Sequence, residues 1–352
     1  LHLKSEVTEV GGYYGNFETQ MTDASGVITV KHGVVIVATG AQERKPTEYL
    51  YGEGDNVLTQ NELEARLANG NGDIQKLNSV VMIQCVGSRE PDRPWCSRIC
   101  CSHAVKNSIR IKQQSPDTEV YVLYRDIRTY GLREKYYHKA RELGVRFLRY
   151  DVDERPKVES NGAGLRVAVH DRMLGQEVNI PADLVVLSTG IVPHEESENL
   201  AKMLKVSQTQ EKFFLEAHMK LRPVDFATDG IYMCGLAHWP KSVDESIAQA
   251  SATASRAATI LSQKELELEG AVSTVLDANC DGCAYCVDPC PSDAITLIEY
   301  MSDGSVKKTV QVNVSLCKGC GSCQATCPKM GIYVKHFRPE QLEAMVDAAM
   351  ER

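Results

Sequence analysis

Apolar and polar positions change rhythm along this chain, and the changes divide it. At 3–10, 16–21 and 27–30 the alternation is that of paired strands, with Gly11-Gly12 at the first turn. The run Gly33-Val-Val-Ile-Val-Ala-Thr-Gly40 is then β-branched and apolar almost to its end, the pattern of a strand buried on both faces. Leu184-Val-Val-Leu-Ser-Thr-Gly190 repeats it. Between them the spacing predicts helices at 61–67, 102–113 and 133–143, and strands at 80–84, 119–124, 145–149, 166–170 and, more weakly, 178–180. A strand at 230–235 and a long small-residue helix over 244–262 follow, with the charged stretch 263–270 as its tail and a linker. Strands alternating with helices through 262 predict an α/β architecture with a largely parallel sheet. Past 270 the chain turns to short strands, tight turns and dense cysteine, and holds its only internal repeat.

Composition narrows the function classes. Of 352 residues, 47 are acidic and 39 basic, so the net charge of −8 argues against a nucleic-acid footprint, which needs a basic face. The longest apolar stretch, 34–38, is far too short for a spanning helix, and no signal-peptide pattern opens the chain. The first residue is Leu1 in what reads as the middle of a strand, so the expectation is a chain incomplete or processed at its start. Thirteen cysteines matter more, because they are clustered: eight between Cys280 and Cys327, four between Cys85 and Cys101, and Cys234 alone. Disulfide scaffolds are typically small and secreted, so clustered cysteines in a large α/β chain point to a cytoplasmic metalloprotein.

Cys280, Cys283, Cys286 and Cys290 with Pro291 spell C-x2-C-x2-C-x3-C-P, and Cys317, Cys320, Cys323 and Cys327 with Pro328 repeat it. In such runs three cysteines wrap one cluster and the fourth reaches the other. The pairing expected is therefore crossed: Cys280, Cys283, Cys286 and Cys327 on one [4Fe-4S] cluster, Cys317, Cys320, Cys323 and Cys290 on the second. Zinc also uses C-x2-C but does not need the triple-plus-proline pattern twice. Cys85, Cys96, Cys100 and Cys101, in Gln84-Cys-Val-Gly-Ser-Arg89 and Trp95-Cys-Ser-Arg-Ile-Cys-Cys-Ser-His103, follow no general rule. Their spacing leaves an iron–sulfur cluster, zinc, and redox or merely buried thiols all open. Arg89, Arg93 and Arg98 would offset the charge of thiolates bound there, although loop arginines are commonly just solvated. Cys234, within an apolar strand, reads as a buried small hydrophobe.

The two strands ending Ala-Thr-Gly40 and Ser-Thr-Gly190 bracket a middle α/β unit, and Gly230-Ile-Tyr-Met-Cys-Gly235 precedes the long helix. That order resembles the thioredoxin-reductase type of two-dinucleotide flavoprotein, in which a late strand, glycine and helix close over the flavin. Glycine at 40, 190 and 235 would let backbone approach the ring, and the helix start would present N–H groups to it. Thr39, Gly40, Thr189, Gly190, Gly235, Ser246 and Gln249 are the expected flavin contacts; taken singly, each glycine is an ordinary turn. The glycine fingerprint for the FAD pyrophosphate would lie before Leu1. No such loop follows 84, where a nicotinamide would sit.

A flavoprotein of this order with Cys-Val-Gly-Ser-Arg, Trp-Cys-Ser-Arg-Ile-Cys-Cys and a double ferredoxin tail resembles the A-subunit family of heterodisulfide reductase. The resemblance covers essentially the whole chain, as the C-terminal portion of the longer family sequence. It implies FAD as an electron-bifurcating centre and a third [4Fe-4S] cluster on the Cys85 group. It implies subunits B and C as partners, input from a hydrogenase or formate dehydrogenase, ferredoxin as an acceptor, and a homodimer within a larger complex. It also sets Lys106 against the flavin N5, where a solvated helix lysine would be the plain reading. His103, His238 and Trp239 stand as core or surface residues before flavin contacts. The domains expected are 1–75 and 191–265 for FAD, 76–190 for a nicotinamide-domain-like unit carrying the cysteine site, and 271–338 for a 2[4Fe-4S] ferredoxin. The rivals are an electron conduit or scaffold without flavin and an NAD(P)H:ferredoxin-type reductase.

Overall fold

Every residue of Ser79–Val86 is buried, and that strand forms the centre of the first of two compact units, 36–256. The computed structural model describes residues 1–69, 72–160, 162, 164–267, 270–302 and 304–351, with the backbone alone for 72 and 73. Five parallel strands order as Val57–Thr59, Leu184–Thr189, Ser79–Val86, Glu119–Tyr124 and Arg146–Arg149. The helices Gln60–Ala68, Cys100–Gln114 and Glu134–Glu142 cover one face, burying Leu63, Leu67, Val105, Ile111 and Ala140 against Val80, Met82 and Val122. The antiparallel strands Lys157–Ser160, Leu165–Asp171 and Gln176–Ala182 cover the other, where Val167, Val169 and Ile180 meet Val81, Ile83 and Val185. Covered on both sides, the inner strands Ser79–Val86 and Leu184–Thr189 have no solvated face, which is why they read as apolar runs. The run at 33–40, expected to be buried on both faces, instead forms only the strand Val35–Val37 in a two-stranded pair, with Ile36 exposed.

This layered body is an insertion. Val35–Val37 pairs with Ile231–Met233, and Gln42–Glu43 pairs antiparallel with Ile191–Val192, so the chain enters and leaves the body side by side. That pairing is the interruption expected for the flavoprotein order. It also sets Gly40, Gly190 and Gly235 at the ends of strands from three distant stretches of the sequence.

The second unit comprises 1–35 and 257–352. Glu6–Tyr13, Asn16–Asp23 and Gly26–His32 form an antiparallel meander. In the cysteine-rich region Ser273–Val275 pairs with Ile332–Val334, and Ile295–Ser302 with Ser305–Val312, around a small core of Ile295, Val310, Ile332, Cys286 and Cys323. Positions 268 and 269 of the expected linker lie outside the described residues. No helix among the described residues is long and apolar enough to cross a membrane.

Several elements have no counterpart in the expectations from sequence. Ser197–Leu204 is a two-turn helix ending on Lys205 at φ +52°, and Pro339–Met350 buries none of its residues. The strands Val57–Thr59 and Lys157–Ser160 are too short to show alternation. The helix expected at 102–113 begins at Cys100 instead, because Cys100 and Cys101 are themselves buried in its first turn.

Candidate functional site

The carboxyl end of the central strand, the loop after it and the start of the 100–114 helix bring Cys85, Cys96, Cys100 and Cys101 together. Cys85 adopts a left-handed backbone, φ +62°, uncommon for a residue with a side chain, at the point where the pairing of its strand with Leu184–Thr189 shifts register. Burial pushes the Cys85 thiol up to about 11, and negative charge on Cys101 and Cys96 adds to the shift. The Cys100 thiol is raised by its hydrogen bond to Cys101, by burial, and by charge on Cys101, Cys85 and Cys96. Cys101 is lowered, chiefly by that same hydrogen bond. All four sulfurs thus share one electrostatic neighbourhood.

What surrounds them is cationic and unsatisfied. Arg89 hydrogen-bonds Cys85 and pairs with Asp126 at 2.7 Å, while buried Arg125 donates to the Arg89 carbonyl at 2.9 Å. Arg93, by contrast, is spent on the Gly87 carbonyl, 2.9 Å away. Both amide atoms of Gln84, Nη1 of Arg89, Nε of Arg125 and Oγ of Ser102 are buried with no partner among the described residues. A buried polar atom left unmet costs about 1–3 kcal/mol, so the donors among them, Gln84 Nε2, Arg89 Nη1, Arg125 Nε and the Ser102 hydroxyl, suit a group that brings acceptors with it, whereas Gln84 Oε1 can only accept. The sulfides of an iron–sulfur cluster are such acceptors, and thiolates beside arginines suit its charge.

Further along, in the cysteine-rich region, a cleft is lined by Cys280, Cys283, Cys286 and Cys327 together, three from the first run and the fourth from the second. Burial pushes the Cys286 thiol up to about 11, with charge on Cys323, Cys327 and Cys280 adding to it. Cys323 is raised by burial and by Cys317 and Cys320. The last cysteine of each run accepts an N–H from four residues on, Ala294 to Cys290 at 3.3 Å and Gly331 to Cys327 at 3.2 Å, so the sequence repeat is also a structural one. Ser273 adds an N–H to Cys317 at 3.3 Å and its hydroxyl to Cys323 at 3.1 Å. Backbone donors to sulfur are what a cluster's charge calls for. No three His, Cys, Asp or Glu side chains among the described residues close on a single-ion position. What groups these cysteines is instead the cleft shared by Cys280, Cys283, Cys286 and Cys327, the electrostatics shared by Cys317, Cys320 and Cys323, and the donors to sulfur.

The residues expected at the flavin divide. Gly40 and Gly235 have positive φ, and a Cβ at either would meet nothing within 4 Å, so their backbones are open to a ring. Ser246 Oγ is buried and unpartnered, which fits a ligand atom there. Gly190 has a local reason instead, since a Cβ would meet the Gly87 carbonyl at 2.7 Å. Thr189 donates to Glu43 at 2.8 Å, and Gln249 accepts from Gly235 N–H at 2.9 Å while its amide meets His238 at 2.7 Å. Thr39 is exposed, just past the end of its strand. Lys106 and His103 both bind Glu64, each at 2.6 Å, and His238 bonds Glu216 at 2.9 Å.

Sequence reasoning missed three features around this frame. Trp95, Phe213 and Trp239 form an aromatic group, with Trp95 donating to the Ile191 carbonyl at 2.9 Å. Lys241 is buried, its ammonium on the carbonyls of Gly235 at 2.6 Å and Trp239 at 2.9 Å, and burial brings its pKa down to about 8. Arg98, read as a neutralising charge, reaches away from the sulfurs to Glu245 at 2.6 Å.

Residues 279–330 match the family model of the 4Fe-4S dicluster domain. The chain is 40% identical over 342 residues to the A subunit of H(2):CoB-CoM heterodisulfide,ferredoxin reductase from Methanothermobacter thermautotrophicus, covering 92% of this chain and 50% of that protein. It is 38% identical over 344 residues to the A subunit of H(2)/formate:CoB-CoM heterodisulfide,ferredoxin reductase from Methanococcus maripaludis, covering 92% and 51%. The chain thus spans about half the length of these curated relatives. Among solved structures, thioredoxin reductase of T. acidophilum is similar at 16% identity and TM-score 0.46, over 73% of this chain and 72% of that one.

Proposed function

The chain belongs to the A-subunit family of heterodisulfide reductase, and from that premise we propose that it is the iron–sulfur and flavin-binding portion of an oxidoreductase that splits electrons between two acceptors. The observation that carries the reading is the shared electrostatic neighbourhood of Cys85, Cys96, Cys100 and Cys101 with unmet donors beside it, together with the dicluster pattern of residues 279–330. Cys85, Cys96, Cys100 and Cys101 hold one [4Fe-4S] cluster. Cys280, Cys283, Cys286 and Cys327 hold a second, and Cys317, Cys320, Cys323 and Cys290 a third. When bound, the clusters supply one-electron exchange and FAD the change between two-electron and one-electron steps.

The chain's own residues hold and tune these groups. Arg89 sets a positive charge on Cys85, and the N–H groups of Ala294, Gly331 and Ser273 stabilise thiolate charge in the tail. Gly40 and Gly235 leave backbone open to a flavin ring, and Ser246 offers it a hydroxyl. Lys106, held by Glu64 at 2.6 Å, is the cation assigned to the flavin N5. The names of the relatives supply the rest by analogy: hydrogen or formate as electron source, ferredoxin and a CoM-S-S-CoB heterodisulfide as acceptors. Input then comes from a hydrogenase or formate dehydrogenase partner. The disulfide chemistry falls to subunits B and C, since Cys234 alone is left over here and burial raises its pKa. The complex holds two copies of this chain as a homodimer.

A second reading, an electron conduit without flavin, draws on Thr189 and Gln249 being already bonded within the protein. Iron, acid-labile sulfide and flavin per chain, measured after anaerobic purification, separate the two. About twelve irons, four per cubane, with one flavin support the first reading, whereas iron without flavin leaves the conduit.

A further inference from the structure

Arg98 lies between Cys96 and Cys100 with a left-handed backbone, φ +62°. Its N–H donates to Cys96 Sγ at 3.3 Å. Its guanidinium points the other way and spreads over three acceptors: Glu245 Oε1 at 2.6 Å, Tyr130 Oη at 2.8 Å and the Pro240 carbonyl at 3.4 Å. Glu245 is in turn bound by its other oxygen to both the N–H and the hydroxyl of Ser242, each at 2.9 Å, closing the first turn of the Val243–Leu261 helix. One residue therefore grips a ligand sulfur with its backbone and the amino end of the helix after Gly235 with its side chain.

We propose that Arg98 is the positioning residue that locks the four-thiol loop to the Gly235–Glu245 segment, fixing the separation between the cluster on those thiols and the flavin edge. The proposal rests on the functional reading above. A plain surface ion pair is a poor account of this geometry. The Arg98 and Glu245 side chains are 32% and 38% exposed, and pairs so placed contribute little to stability. Three acceptors in a fan, however, are what a planar guanidinium fits and a lysine ammonium does not. The Trp95, Phe213 and Trp239 rings also join the two segments, so cutting the polar clamp loosens the position of the loop without unfolding it.

The test compares Arg98→Lys and Glu245→Gln with the unaltered protein in its complex, purified anaerobically. Flavin fluorescence lifetime serves as the distance ruler, and the EPR spectrum of the Cys85-group cluster reports its ligand geometry. Both variants should keep their iron and flavin, lengthen the lifetime several-fold and broaden the cluster spectrum. Unchanged lifetime and spectrum at full iron and flavin content in both would overturn the clamp. Should Arg98→Lys shed iron, Glu245→Gln, which leaves the cysteine loop untouched, decides alone. If the unaltered protein carries no flavin, the flavin component of the functional reading fails, and the cluster spectrum still decides whether Arg98 holds the loop.

Discussion

Lys241 shows what a single residue does at this site. Its ammonium is buried on two carbonyls beside the Gly235 turn, and burial outweighs the nearby Glu245 and lowers its pKa from 10.5 to about 8. A lysine depressed in the folded state binds fewer protons there than in the unfolded chain between those two values. Its contribution to stability therefore rises with pH from about 8 to about 10.5. Thermal midpoints across that range should climb for the unaltered chain and climb less for Lys241→Met. Equal slopes would mean that the ammonium is not buried in solution. No signal in the sequence singles out Lys241, since its burial comes from segments that meet only in the fold. Arg98 is hidden for the same reason, its partner Glu245 lying 147 positions away. The ferredoxin cysteines are legible because spacing alone defines a ligand loop in those runs. The Cys85 group is not, because its fourfold convergence depends on a loop folding back to the strand end.

At the scale of elements, the close pass between Gly190 and Gly87 joins the strand 184–189 to the cysteine loop. A methyl at 190 meets the Gly87 carbonyl at 2.7 Å, so Gly190→Ala has to push the loop that follows Cys85. The expected cost is about 1–3 kcal/mol, as for other strained backbone contacts. Urea unfolding should show that loss, along with reduced iron retention; a variant as stable and iron-rich as the parent would refute the contact. The long apolar strands can be read from sequence because the sheet is covered on both faces and leaves no polar alternation to confuse with loops. The Pro339–Met350 helix cannot, because the cysteine pattern ends at 328 and no buried face marks it. Ser197–Leu204, at two turns, is too short to display a period.

For the whole molecule, the internal repeat and the shared cleft carry one claim about wiring. If the fourth cysteine of each run serves the other cluster, Cys327→Ser and Cys280→Ser should perturb the same EPR signal, and Cys317→Ser a different one. Cys327 grouping with Cys317 would instead mean uncrossed runs. A parallel body inserted between paired strands, with a cysteine group where a glycine-rich loop would bind a dinucleotide, leaves the Cys85 group as the feature on which the account turns. Replacing Cys85 and Cys96 together by alanine in this chain, followed by iron and sulfide analysis, addresses it most directly. Iron should fall from about twelve to about eight per chain, with the two ferredoxin signals intact. Iron unchanged by the double substitution would contradict it.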